Sequence, residues 1–200
     1  MIVLHYTAMQ SAEAALARLC DPGAEVSAHY LIGEQGRIWQ MVPEEMRAWH
    51  AGAGSWHGVA DVNSRSIGVE LANRGDHPFP EPQMAALEKL MRGIMARWNI
   101  PSGRVIGHSD MAPGRKFDPG ARFDWQRLER LGLAARRGSD AGPADGDFAL
   151  FRAVASGAGY SADVDDETLL AAVRLRYRPW ASGPLVAEDF TPLGHRALWT

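Results

Sequence analysis

The stretch GHSDMAPGRKFDPG, residues 107–120, sets His108, Lys116 and Asp118 among glycines and prolines that keep the chain irregular. Imidazole and carboxylate are both ordinary zinc ligands, and a catalytic zinc site takes three protein groups and leaves a fourth position for water or substrate. The third group must come from elsewhere in the chain, and His5, inside the short apolar run IVLHYT, is the candidate. Two neutral imidazoles and one carboxylate leave such a metal net positive, which lowers the pKa of bound water towards about 7 and makes amide hydrolysis feasible at neutral pH. The water still needs a base, and Glu70 in RSIGVELAN is a carboxylate placed mid-strand. Lys116, two residues before Asp118, is a cation suited to stabilising the oxyanion formed when a carbonyl is attacked. Of 21 basic residues only Lys89 and Lys116 are lysines, so a chain that otherwise uses arginine has placed a lysine here.

Other aromatic and imidazole side chains are candidates for contact with a ligand. RAWHAGAGSWHG carries Trp49, His50, Trp56 and His57 in a glycine-rich segment that cannot hold regular structure, so they could line a groove for sugar or peptide. His29 stands beside Tyr30 on an expected strand. As a metal ligand it would compete with Asp118, so it joins Trp49 and His50 among the expected substrate contacts.

These residues are too far apart in sequence to meet without a scaffold. IVLHYT (2–7) has the β-branched and aromatic composition of a buried strand, and SAEAALARLC (11–20) has helix formers behind a serine cap. Residues 28–42 read as a hairpin turning at Gly36, and 65–73 as a strand with Ile67, Val69 and Leu71 on one face and Gly68 and Glu70 on the other. Pro82 suits a first helical position, and Met84, Leu87, Met91, Ile94 and Trp98 recur at helical spacing behind it. RVIGH (104–108) is a short strand delivering His108 at its end, and 123–133 is a helix capped around Asp124. If the first and last strands are sheet neighbours, His5 and His108 meet. The expected class is α/β, a mixed central sheet flanked by helices, in a domain spanning 1–134. A linker of Gly, Ala, Asp and Pro follows at 135–147. A small helical appendage occupies 148–200, with helices near 148–158, 166–178 and 188–199, and docks on the first domain because so small a bundle is marginal alone.

Composition excludes some classes. With 21 basic against 24 acidic residues the net charge is −3, which gives no footprint for nucleic acid. No run of about 18 apolar residues is present, so no membrane-spanning helix is expected. MIVLHYTAMQ lacks the basic start and uninterrupted apolar run of a signal peptide. As written the chain reads as cytoplasmic, with the periplasm or envelope as the alternative if a leader is missing, and as a monomer.

Taken in order, VLHYTA, SAHYLIGEQGRIWQMVPEEMRAWHAG, NSRSIGVELAN and GHSDMAPGRKFDPG resemble sequence blocks of the zinc-dependent N-acetylmuramoyl-L-alanine amidases of type 2, which share their fold with the peptidoglycan recognition proteins. The resemblance covers roughly residues 2–131. It implies Zn²⁺ held by His5, His108 and Asp118, with Glu70 as the catalytic glutamate and Lys116 stabilising the transition state. The implied reaction is cleavage of the amide between the lactyl group of N-acetylmuramic acid and L-alanine, in peptidoglycan or anhydro-muropeptide. Phage members carry a tyrosine where Ala28 stands. The tail LLAAVRLRYRPWASGPLVAEDFTPL is similar to a shortened peptidoglycan-binding module. The alternatives are a peptidoglycan-binding protein without catalysis and a zinc hydrolase of another amide.

Overall fold

A computed structural model describes residues 1–194. The apolar runs form five strands: β1 (Ile2–Tyr6), β2 (Tyr30–Ile32), β3 (Ile38–Gln40), β4 (Ile67–Leu71) and β5 (Val105–Gly107). They make one mixed sheet in the order β3-β2-β4-β1-β5. β1 runs parallel to both β4 and β5, β2 runs parallel to β4, and only the β2–β3 hairpin is antiparallel. Gly36 turns that hairpin at φ +80°, and a Cβ there would meet the Pro82 carbonyl oxygen at 2.6 Å.

The parallel strands are covered on both faces, as such strands require. On one side Leu4, Ile67, Val69 and Leu71 pack with Met84, Leu87, Met91 and Ile94 of α2 (Glu81–Trp98). Trp98, expected on the same apolar stripe, is 44% exposed, and its indole Nε1 donates to Glu44 at 2.6 Å. α1 (Ala12–Leu19) is capped by Ser11, whose hydroxyl accepts from the Ala14 N–H at 3.1 Å, and lays Ala12 and Ala15 against Leu31 and Ala72. After β5 come the short α3 (His108–Met111) and then α4 (Trp125–Arg130), capped by Asp124.

The C-terminal helices α5 (Phe148–Ala158), α6 (Asp166–Tyr177) and α7 (Ala187–Phe190) cover the opposite side of the sheet. Phe151, Val154, Leu169, Val173 and Phe190 share one cluster with Val3, Ile106 and Met111, so this layer and the strands have a common core. The helix expected over 188–199 is shorter: α7 ends at Phe190 and passes into a 3-10 turn over Thr191–Leu193, because Pro192 cannot supply the N–H that a continuing helix needs. The rest of that expected helix, 195–200, lies outside the described residues. The segment 135–147 is irregular but held down. Arg137 pairs with Glu129 at 2.7 Å, and a Cβ at Gly142 would collide with the Ala187 carbonyl oxygen at 2.1 Å.

A buried ion pair joins the layers. Asp110 in α3 pairs with Arg176 of α6, accepts from Tyr160 Oη at 2.7 Å and from the Gly107 N–H at 2.7 Å, and has no exposed surface. The Arg176 guanidinium also lies 4.0 Å from the Trp125 ring centroid. Among the described residues no helix is long and apolar enough to cross a membrane.

Candidate active site

The register of β1 with β4 sets His5 opposite Glu70, and β5 on the other side of β1 hands the chain to His108. The loop after α3 folds back on itself, with Ser109 N–H donating to the Asp118 carbonyl at 2.9 Å and Lys116 N–H to Ala112 at 3.0 Å. Asp118 is thereby returned to the histidines. His5 Nδ1 and His108 Nδ1 are 3.0 Å apart, and Asp118 Oδ2 is 2.8 Å from the first and 3.0 Å from the second. All three residues are buried.

The hydrogen bonds on the far sides of the rings decide what these atoms offer. His108 Nε2 lies 2.8 Å from the Ala51 carbonyl, which can only accept, so Nε2 carries a proton and Nδ1 is the nitrogen that the neutral ring offers to a metal. The Ser66 hydroxyl donates its hydrogen to the Val62 carbonyl at 2.5 Å and is left an acceptor for His50 Nε2 at 3.3 Å. His50 Nδ1 is then an acceptor too, and at 3.0 Å it takes the proton of His5 Nε2, leaving His5 Nδ1 bare. Burial, then the neighbouring His108, lowers the His5 pKa to about 4, and burial, then His5, pushes His50 well down, so both are neutral at pH 7. With both rings neutral, three electron-pair donors converge. Atoms held tetrahedrally about 2.0–2.1 Å from a zinc ion stand about 3.3 Å apart, close to the triangle found here. The donor set and its protonation fit a divalent metal.

This triangle closes the deep end of a groove of about 340 Å³, lined also by Tyr6, Met9, Arg18, Trp49, Glu70, Arg115, Lys116 and Phe117. Glu70 Oε2 is buried with no hydrogen-bond partner, an unusual and costly state for a carboxylate oxygen. Burial raises its pKa well above the ordinary value, the Asp118 charge raises it further, and Lys116 opposes both. A carboxyl tuned upward beside a metal-competent triangle is suited to taking and returning a proton.

The other expected contacts divide. Trp49 is 59% exposed on the groove wall. His50 reaches the groove but is mostly covered, its ring spent on His5 and Ser66. His29 lies outside the groove. It is fully buried, with Nε2 bonded to the Met46 carbonyl at 3.0 Å and Nδ1 accepting from the Gly68 N–H at 3.0 Å, so no substrate reaches it. Trp56 is buried edge-on against Tyr160, 5.0 Å between centroids, and belongs to the contact with the C-terminal helices.

Residues 1–121 match the family model for N-acetylmuramoyl-L-alanine amidase. The chain belongs to this family. The N-acetylmuramoyl-L-alanine amidase AmiD of Escherichia coli is 42% identical over 151 residues, which are 68% of this chain and 54% of that protein. The 1,6-anhydro-N-acetylmuramyl-L-alanine amidase AmpD of Haemophilus influenzae is 44% identical over 103 residues, 51% of this chain and 56% of that one. The chain thus spans about half the length of the curated relatives it matches. Among solved structures, E. coli AmiD in complex with the substrate anhydro-N-acetylmuramic acid-L-Ala-D-gamma-Glu-L-Lys superposes with a TM-score of 0.86 at 34% identity, covering 96% of this chain and 86% of that one. AmpDh3 of Pseudomonas aeruginosa in complex with anhydromuramic pentapeptide gives 0.85 at 31%, covering 96% and 89%. The likeness of fold therefore runs on through the C-terminal helices.

Several residues that shape the site were not singled out by sequence. Arg115 donates to the Ala51 carbonyl at 2.6 Å, and Asn63 Oδ1 accepts from the N–H groups of His50 and Ala51 at 3.1 and 2.8 Å. Asp110 anchors the base of the loop. The adjacency of Arg115 to Lys116 was a signal for the first, but no local pattern marks Asn63 or Asp110, whose partners are distant in sequence.

Proposed function

We propose that this chain is a zinc amidase that hydrolyses the bond between N-acetylmuramic acid and L-alanine in peptidoglycan or muropeptides. The observation that carries the proposal is the triangle of His5 Nδ1, His108 Nδ1 and Asp118 Oδ2, with Glu70, whose Oε2 is buried and unpartnered, lining the same groove. His5, His108 and Asp118 would hold Zn²⁺, which when bound supplies Lewis-acid polarisation of water and of the scissile carbonyl. Glu70 takes a proton from the attacking water and returns it to the leaving amine of L-alanine. Lys116, on the groove wall, compensates the negative charge that develops on the carbonyl oxygen. Trp49 and Phe117, exposed on the rim, offer apolar faces to the sugar and the stem peptide. The anhydro-muropeptide ligands of the AmiD and AmpDh3 complexes support that fragment as a substrate.

The test is chromatographic. The zinc-loaded protein is incubated separately with intact sacculi and with anhydro-muropeptide, and free stem peptide is sought. Release from either supports the reading, and the pair of results assigns polymer or fragment as substrate. Glu70→Ala is expected to keep its zinc and lose nearly all turnover. Cleavage at the wild-type rate by that variant would remove Glu70 from the mechanism.

A further inference from the structure

Both histidines of the triangle are oriented from one dipeptide. The His50 ring receives the Nε2 proton of His5, and the carbonyl of the next residue, Ala51, receives the Nε2 proton of His108. The backbone N–H groups of the same two residues converge on Asn63 Oδ1, so one amide side chain fixes the position of both acceptors. The His50 ring can lie there only because position 68 is glycine. A Cβ on Gly68 would sit 2.4 Å from His50 Cγ, in the middle of a buried strand. The Ser66 hydroxyl completes the arrangement by accepting from His50 Nε2.

We propose that His50 is a positioning residue, held by Asn63 and Ser66, that fixes His5 in the tautomer whose Nδ1 can bind the metal. It touches neither the metal position nor the reacting bond, and acts through His5. This is a different role from the substrate contact expected of it in the sequence, and it rests on the reading of His5, His108 and Asp118 as zinc ligands. Groups that orient a ligand histidine in this way typically change metal affinity by 10–100-fold when lost.

Three variants test it in the full chain. His50→Leu removes the acceptor, His50→Asn keeps a side-chain oxygen near the place of Nδ1, and Ser66→Ala leaves the ring but frees its tautomer. Zinc affinity is measured by competition with a chelator, the His5 tautomer by ¹⁵N NMR of the metal-free protein, and folding by the thermal midpoint. His50→Leu is expected to bind zinc 10–100-fold more weakly and to lose the pure Nε2–H tautomer of His5. His50→Asn is expected to recover most of both at a similar midpoint, and Ser66→Ala to show the tautomer mixture with a smaller loss. Wild-type affinity with an unchanged His5 tautomer in His50→Leu overturns the proposal. If His50→Leu does not fold, an unchanged tautomer in Ser66→Ala overturns it equally. Failure of the underlying reading looks different: His5→Ala would then bind zinc as tightly as wild type.

Discussion

Lys116 Nζ makes no hydrogen bond or ion pair among the described residues, yet its charge reaches both Glu70 and His5. A free cation on the wall of the groove is available for charge that exists only in the transition state. Lys116→Met is therefore expected to keep its zinc content and its KM, and to lose on the order of 10²-fold in kcat, measured by stem-peptide release. Trp49 should behave in the opposite way. On the proposed reading its exposed face contacts the substrate throughout the reaction, so Trp49→Ala is expected to raise KM several-fold with kcat little changed. The residues of the triangle were readable as a group because histidine and aspartate crowd one glycine- and proline-rich loop, and His5 interrupts an apolar run. The neighbours Trp49 and His50 were not separable in that way. A glycine-rich segment has no periodicity to say which side chain turns inward, and only the missing Cβ of Gly68 reveals that His50 does.

Among the elements, β1, β4 and β5 were legible because β1 and β5 are short runs rich in β-branched residues and β4 alternates Ile67, Val69 and Leu71 with Gly68 and Glu70. The pairing of the first strand with the last, a condition in the sequence, is present, so His5 and His108 lie at neighbouring strands. Trp98 escaped the helical spacing of α2 because Glu44 captures its indole N–H at the helix end. Glu44 also accepts from Tyr30 Oη of β2 at 2.6 Å and pairs with Arg97, so it ties the sheet to the end of α2. The Arg97 contact, against opposing burial, lowers the Glu44 pKa to about 2. A depressed carboxyl pKa stabilises the folded state above the unfolded value of about 4.3, and the contribution fades as pH falls from there through about 2. Discounted for the exposure of Arg97, it is worth about 1 kcal/mol. Glu44→Gln is expected to lower the thermal midpoint at pH 7 and to flatten the dependence of stability on pH between about 5 and 2.

At the scale of the molecule, the two sides of the sheet are complementary halves of one fold. Val3, Ile106 and Met111 share a cluster with Phe151, Val154, Leu169, Val173 and Phe190 of α5, α6 and α7, and with Ala51, Trp56 and Val62 beside them. Removing residues 140–200 is therefore expected to give an aggregating protein rather than a smaller amidase, seen as loss of the monomer peak in size exclusion and of a cooperative melt. The intact chain is expected to melt in a single transition. The composition of 135–147 suggested separable units, since glycine-rich irregular sequence marks a linker equally well whether it hangs free or lies packed. Its packing depends on Glu129, Ala187 and Pro192, which are distant or belong to the other layer. Arg176→Met leaves the Asp110 charge buried without its partner, and is expected to cost about 3–5 kcal/mol in a denaturant melt.

That pair has a thermodynamic corollary. Asp110 is two residues from His108, and Arg176 lies in the last turn of α6, so tightening one end of the pair must tighten the other. Coupling of this kind is reciprocal. Ion occupancy at the groove should slow hydrogen exchange of the α6 amides on the far side of the sheet, beyond any change in the exposed turn at Gly36. Conversely, a ligand or antibody gripping the outer surface of α6 should hold the ion longer. The helix layer at the back of this molecule would then be a handle on any ion that His5, His108 and Asp118 hold.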